Sequence, residues 1–365
     1  MARLGGSLTG ARRRRPGLTY LTLALQGIAG LLVAATALPL IETNLGFVRS
    51  LDFPRLQIAV ALAACLSGLL LVSRDTTSLI LALAMAAALV MQVRFILPFT
   101  PLAATQAKAA KACEPGARLS LVVLNVLQTN RNYGAALDLV TRRSPDLVLL
   151  LETDSAWQEA MAPLRALYPN RVEQPQDNTY GLLFYSRLPL RGPEIRFLLQ
   201  DDVPSLRTQV VLPDGETVRL HGLHPRPPHP GHSSAPRDAE LVIVAREVAE
   251  APGPTIVAGD LNDVAWSRTT QLFQSISGLL DPRRGRGLFA TFHAQWPVMR
   301  WPLDHVFFSE HFLLGHMERL PGVGSDHFPI TVSLCAAPQA PARQEKPEAT
   351  AEDHRDAQEA IEAVR

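Results

Sequence analysis

Two side chains two residues apart, Asp260 and Asn262, follow a short apolar run that begins at Thr255 and ends at Gly259. Along a strand, side chains i and i+2 point to the same side, so a carboxylate and a carboxamide at this spacing are expected to face one site together. A charged group just past a wholly apolar strand is costly to bury unless a metal, a proton or a partner satisfies it. Taken alone, the same residues also read as a strand followed by an Asx turn.

Matching pieces lie elsewhere in the chain. The apolar run 121–125 ends in Asn125, the run 147–152 in Glu152 and the run 218–224 in His224. Asp304 and His305 open the run 304–309, and Gly324-Ser325-Asp326-His327 precedes the last one, 328–334. Each alone is explained by a cap or a turn. Together they place several polar groups at strand ends, where rigid folds carry catalytic residues. Glu152, Asn125 and Asp260 supply hard oxygen ligands, which suit Mg²⁺ or Mn²⁺ rather than zinc. Such a cation neutralises a phosphate and the charge developing on a leaving oxygen. His327 with an Asp partner is a candidate acid/base or a phosphate-binding imidazolium. Asn262 and His224 can donate hydrogen bonds to a phosphoryl oxygen. No Ser or Cys nucleophile motif stands out, so attack of an activated water on phosphorus fits the set best.

Strand-like runs at 119–125, 147–151, 182–185, 208–212, 218–223, 255–258, 305–308 and 330–334 must position these groups. Helical patterns at 133–143 and 237–249 lie between some of them, and the mixture predicts an α/β sandwich. Residues 118–337 are long enough for one sizeable domain. Upstream, residues 18–41, 56–72 and 79–93 are almost wholly apolar, so 17–97 reads as three transmembrane helices. A cleaved signal peptide with a buried helical hairpin is the alternative, but a signal peptide's apolar core is shorter, about 7 to 15 residues. Residues 1–16 are basic, with Arg3 and Arg12 to Arg15. Positive charge favours the cytoplasm, and three crossings then put everything after residue 98 outside it. Residues 98–117 read as a linker. Residues 338–365, rich in Ala, Glu, Pro and Gln, read as a disordered tail with a frayed helix near its end.

Of the 365 residues, 19% are charged and 47% hydrophobic, with a net charge of +1. That balance gives no support for a general nucleic-acid binder, which carries a basic face. The three cysteines, Cys65, Cys113 and Cys335, form no zinc-type pair.

Asn125, Glu152, the run Gly181-Leu-Leu-Phe-Tyr-Ser-Arg187, His224, Gly259-Asp260-Leu261-Asn262, Asp304-His305 and Ser325-Asp326-His327 resemble, in order, the motifs of the endonuclease/exonuclease/phosphatase (DNase I-like) superfamily. The resemblance covers about 118–336. It implies a four-layered α/β sandwich with two packed sheets and a site at one end of them. It further implies Glu152 as main Mg²⁺ ligand with Asn125 beside it, and Asp326 as a further metal-site carboxylate. His327 becomes general base or phosphate ligand, oriented by Asp304. Asp260 and Asn262 position water and phosphate, and His224 contacts the phosphate. His221 is a weaker rival for that last role. The stretch 221–232 is unusually rich in His and Pro; a zinc site from its four histidines is a minor alternative.

The three helices make the chain similar to membrane-anchored bacterial members, multi-pass in the inner membrane with the catalytic domain extracytoplasmic. The expectation is a phosphohydrolase that uses water to cleave a phosphate ester or anhydride of a lipid-linked substrate at the bilayer. A surface nuclease acting on external nucleic acid is the second reading. A catalytically silent envelope interaction module is the third. The basic and aromatic stretch 283–301 could rest on anionic head groups; a solvated turn followed by core aromatics is the alternative. If the first and last strands pair antiparallel, as the family fold implies, Cys113 and Cys335 could form a disulfide; two free thiols are the alternative.

Overall fold

The computed structural model describes residues 16–228 and 231–364. The basic segment that holds Arg3 and Arg12 to Arg15, and His229 of the His-rich stretch, lie outside the described residues. The chain divides into two compact units, one of Met1–Ile41 with Arg55–Arg94 and one of Glu42–Pro54 with Phe95–Arg365.

The first unit is built from α1 (Pro16–Ala37), α3 (Arg55–Val72) and most of α4 (Thr76–Ile96). Three segments, Pro16–Leu40, Arg55–Val72 and Thr76–Phe99, are long and apolar enough to cross a membrane. Ala29, Leu62, Cys65, Leu69 and Met85 pack together between the helices. Two pairs of polar groups meet between the helices: Gln92 Nε2 donates to Thr36 Oγ1 at 3.0 Å, and Gln26 Nε2 to Ser78 Oγ at 3.0 Å. That is how a polar group is tolerated in a helix without water around it.

The second unit opens with the short α2 (Gly46–Ser50) and continues through β1 (Arg118–Asn125), α5 (Tyr133–Arg143), β2 (Leu147–Leu151), α6 (Ser155–Ala160), β3 (Asn170–Gln174), β4 (Leu182–Ser186), β5 (Leu190–Phe197), β6 (Pro204–Val211), β7 (Thr217–Leu223), α7 (Ala235–Glu250), β8 (Thr255–Asp260), α8 (Arg268–Ser277), β9 (Asp304–Phe308), β10 (Phe312–Arg319), β11 (Ile330–Ala336) and α9 (Ala351–Glu362). One sheet has the order β10-β11-β1-β2-β4-β3, the other β5-β6-β7-β8-β9. Alternation along the strands makes four layers. Leu121 and Val123 of β1 meet Ile256 and Ala258 of β8 between the sheets. Val122 and Leu124 turn instead to α5 and α6, while Val257 turns to α7 and α8. This is the DNase I-like sandwich expected from the motifs.

At the centre of each sheet one pair of strands is parallel, β1 with β2 and β7 with β8. Their carboxyl ends therefore reach the same edge of the sandwich. Asn125, Glu152, His224 and Asp260 all lie at or one residue beyond those ends. β9 runs antiparallel to β8, with Asp304 opposite Asp260.

Two parts differ from the expectation, and the choice left open for Cys113 and Cys335 is decided. The stretch 98–117 is not a loose connector: Ala107 is buried in the inter-sheet core, and Ala110 N donates to Leu314 O of β10 at 2.8 Å. The tail is not wholly disordered, since α9 forms a helix. Thr350 caps it: Asp353 N donates to Thr350 Oγ1 at 3.1 Å, and Thr350 N donates back to Asp353 Oδ2 at 2.8 Å. Ala357 and Ile361 then pack on the cluster under α7 and α8. The helix expected near the end is docked and not frayed, because one narrow apolar stripe is enough to seat it. Cys113 and Cys335 are joined by a disulfide.

That disulfide ties the chain just before β1 to the last strand. Cys335→Ser is expected to lower the stability of the second unit by about 2–4 kcal/mol, read as a shift in urea midpoint without loss of secondary structure.

Candidate active site

Asp260 is buried at the end of β8. Its Oδ2 accepts a hydrogen bond from Asn125 Nδ2 at 3.0 Å, and the same amide donates to Glu152 Oε1 at 2.7 Å. One carboxamide from β1 thus bridges two carboxylates from different sheets. His224 Nε2 lies 3.8 Å from Asp260 Oδ2 and 4.0 Å from Glu152 Oε1. His327 Nε2 is 3.5 Å from the same Asp260 oxygen, and its Nδ1 is 2.7 Å from Asp304 Oδ2. Ser325 fixes the loop that presents His327: its hydroxyl donates to Asn125 O at 2.8 Å and accepts from His327 N at 3.0 Å.

All eight residues singled out from the sequence are thereby brought to one end of the sandwich, with Asp326 and Asn262 at its rim. Asn262 arrives differently from the expectation. β8 ends at Asp260, and Asn262 adopts a left-handed backbone with φ 50°. Its N–H donates to Asp260 Oδ1 at 3.0 Å, closing an Asx turn. Its side-chain amide donates to Pro225 O at 2.9 Å and so holds the chain next to His224. Strand alternation does not extend past the strand's last residue. His221 lies on β7 away from this group, beside Arg207, Arg196 and Glu247, and burial lowers it to about 4. Among the described residues, no metal set arises from the His-rich stretch.

Residues that the sequence reading missed complete the support. Asp304 N donates to Thr291 Oγ1 at 3.2 Å. Arg283, expected in a solvent-facing basic loop, is buried; it grips Asp281 and meets His305 Nδ1 at 2.7 Å. His305 in turn contacts Asp263 O at 2.8 Å, so it braces the turn rather than the substrate. Tyr180 stacks beside His224 at 5.4 Å, and Arg226 lies over Tyr180 at 5.4 Å. A lone Thr, Tyr or Arg carries no spacing signal, so none of these was visible.

Two glycines permit the close packing. A Cβ on Gly259 would sit 1.9 Å from Leu223 O, and its φ of 149° suits glycine alone. A Cβ on Gly181 would sit 1.9 Å from Thr153 O, beside Glu152.

The electrostatics follow from burial. Burial raises the Glu152 carboxyl above its ordinary range. It also raises Asp260, helped by the Asp304 charge and opposed by His327 and His224. Burial lowers His224. Burial would lower His327 too, but the charges of Asp304, Asp260 and Asp326 outweigh it and push the imidazole up to about 10.

The donor set fits a divalent cation. Glu152, Asp260, Asp304 and Asp326 outnumber the one imidazolium, His327, so the site has an excess of negative charge. Asp304 Oδ1 is buried with no hydrogen-bond partner. Among the described residues, Asp260, Asp304 and His327 offer ligand atoms all within 4.8 Å of one another. Glu152 joins this group through Asn125. Oxygen donors dominate, the preference of hard cations.

This geometry defines a phosphoesterase-type site on a DNase I-like sandwich. The Endonuclease/Exonuclease/phosphatase family profile matches residues 122–327, more than half of the chain, and the chain belongs to that family. Membership makes it a metal-dependent phosphoric ester hydrolase. No curated protein matches it in sequence. Among solved structures it is similar to humanized D. rerio TDP2, with 19% identity and a TM-score of 0.50 over 60% of this chain and 99% of that one. D. rerio TDP2 complexed with single strand DNA product gives 19% identity and a TM-score of 0.50, over 60% and 98%. The human Nocturnin catalytic domain with bound sulfate anion gives 15% and 0.50, over 62% and 97%. At such identities these likenesses bear on the fold alone.

Gly259→Ala is expected to cost about 3 kcal/mol or more, from the clash and the backbone strain together, measured by chemical denaturation. The His327 imidazole is raised above its unfolded value near 6.5, so its charge stabilises fully below that pH and the contribution is lost as pH rises through about 10. In EDTA, the gap in unfolding midpoint between wild type and His327→Gln should be widest below pH 6.5 and close towards pH 10.

Proposed function

We propose that the chain is a membrane-anchored, Mg²⁺-dependent phosphohydrolase whose site lies outside the cytoplasm and cleaves a phosphate ester or anhydride of a lipid-linked substrate. One observation carries this reading. The segment Glu42–Pro54, bracketed by two candidate spans, belongs to the same compact unit as the site. Phe53 packs edge-on against Trp301 at 5.8 Å, Trp301 stacks on Phe292, and Phe292 lies 5.0 Å from the His327 ring. Nearby on the same stretch, Trp296 and Val298 leave 65% and 75% of their surface exposed. A segment whose two ends each run into a candidate span tethers the site's own unit to the bilayer, where a lipid-linked phosphate presents itself. The Arg cluster in residues 1–16 supports a cytoplasmic N-terminus, and three crossings put the site on the other side.

In this reading Glu152 and Asn125, with Asp326 near, would hold a divalent cation, which would supply charge neutralisation to the phosphate and to the leaving oxygen. His327 holds its proton at neutral pH and donates it from Nε2 to a phosphoryl oxygen, while Asp304 fixes its ring. Asp260, its basicity raised by burial, accepts a proton from the attacking water. Asn262 keeps Asp260 and the His224 segment in register, and His224 faces the phosphate.

Cleavage of external nucleic acid is the second reading, favoured by the likeness to D. rerio TDP2, which was captured with a single-strand DNA product. The near-neutral composition weighs against it. The test is to incubate the purified full chain with Mg²⁺ and plasmid DNA, phospholipid vesicles or undecaprenyl diphosphate in parallel. Release of phosphate or head group from a lipid, lost in Asp260→Ala by about 10³-fold or more as for a group acting directly on the reacting water, is the expected result. Nicking of DNA with nothing released from lipid would sink the proposal, and full cellular function of Asp260→Ala would favour a silent module.

A further inference from the structure

The segment Glu42–Pro54 does more than join two apolar helices. Gly46 N donates to His232 O at 2.9 Å, and Ser234 N donates to Asn44 O at 2.8 Å, so the segment is laced to the start of α7. At its other end, Trp266 Nε1 donates to Asp52 O at 2.8 Å. Between these anchors sits Arg49, only 5% exposed, on a helix of one turn. Its Nη2 donates to Thr269 Oγ1 at 2.8 Å and its Nη1 lies 3.6 Å from Asp52 Oδ2.

Beneath it runs a chain of buried charges. Asp238 on α7 accepts from Ser234 Oγ at 2.8 Å and from Arg237 Nε and Nη2 at 2.9 and 2.6 Å. Asp238, Arg49 and Thr269 line one cavity; burial would raise the Asp238 carboxyl, and the charges of Arg237 and then Arg49 outweigh that and hold it below its ordinary range. Arg237, 1% exposed, lies 3.5 Å from Asp263 Oδ2 and donates from Nη1 to Asn262 O at 2.9 Å. Asn262 is the residue whose left-handed backbone closes the turn on Asp260. The guanidinium on its carbonyl joins the Asx turn and the Asn262–Pro225 bond in holding this non-glycine residue in that region.

We propose that the segment between the first two apolar helices is a positioning element of the catalytic site: Arg49 balances the charge of Asp238 so that Arg237 stays fixed on Asn262. The inference rests on the phosphoesterase reading of that site. Arg49 touches no reacting atom. Its loss leaves Asp238 and Asp263 with the single guanidinium of Arg237 between them, and Arg237 is then drawn from the Asn262 carbonyl. Buried ion networks broken on one side fail in this way, because the remaining charge has no solvent to turn to.

The test uses the full chain in detergent, with Mg²⁺ and bis(4-nitrophenyl) phosphate as a plain diester probe. Arg49→Met should lower kcat about tenfold or more, as small misplacements in a site do, with KM little changed. Hydrogen exchange should rise in residues 260–266 while the core strands keep their protection. Arg49→Lys should restore most of the rate. Adding Asp238→Asn to Arg49→Met returns the buried net charge to its starting value and should also restore rate and protection. Wild-type rate and exchange in Arg49→Met overturn the proposal. So does exchange that rises throughout the second unit, or a double variant no better than the single one. If wild type does not cleave the diester, that failure belongs to the functional reading, and exchange in 260–266 still tests the positioning role by itself.

Discussion

A carboxylate at the tip of a wholly apolar strand has to be satisfied without water, and Asp260 sets that condition for the second unit. An unpaired ionised carboxylate in such surroundings is unfavourable by several kcal/mol. Here it draws on Asn125 from β1, His224 after β7, His327 before β11 and the Asn262 backbone beyond β8. Those groups come from both sheets. The sheets must therefore be packed face to face, with their central parallel pairs ending at one edge, before Asp260 can be buried at all. The apolar contacts between β1 and β8 supply that packing, and Gly259 lets β7 and β8 approach closely enough to permit it.

The same concentration of charge explains why the site is reactive as well as stable. Excess carboxylate keeps His327 protonated and, with burial, makes Asp260 a stronger base than an ordinary Asp. Both groups are raised, His327 by the surrounding carboxylates and Asp260 first by burial. The imidazole therefore keeps a proton to donate, and the Asp260 carboxylate becomes a better proton acceptor.

What the sequence disclosed and what it hid divide along physical lines. The runs read as strands fall mostly on strands flanked on both sides or buried on both faces, where continuous apolar residues are required. The three strands that went unread, β3, β5 and β10, are all sheet edges. An edge strand has neighbours on one side only; Arg191, Glu194 and Arg196 of β5 and Arg171 and Glu173 of β3 break any apolar run, while β10 offers only the short run Phe312 to Leu314. The polar strand ends were legible because each follows such a run. Their partners were not: Thr291, Arg237 and Arg283 are ordinary residues until tertiary structure buries them beside the site. Asn262 was identified for the wrong geometric reason, since the turn, and not strand alternation, delivers it.

Arg283 and Arg49 show why charge in a loop cannot be read as solvent exposure. Both lie in stretches that look like solvated connectors, and both are buried against aspartates two or three residues away, Asp281 and Asp52. A guanidinium with a carboxylate at that spacing satisfies itself locally, so it can be carried inward with little desolvation left unpaid. Such a pair leaves donors over for a distant element, Asp304 O and His305 for Arg283 and Thr269 for Arg49. Connectors are thereby converted into braces. In this chain two further contacts meet on the same turn, 260–263: His305, held by Arg283, contacts the Asp263 carbonyl, and Arg237 the Asn262 carbonyl. The turn that begins as the simplest reading of Asp260 and Asn262 is the piece of backbone that the rest of the second unit holds still.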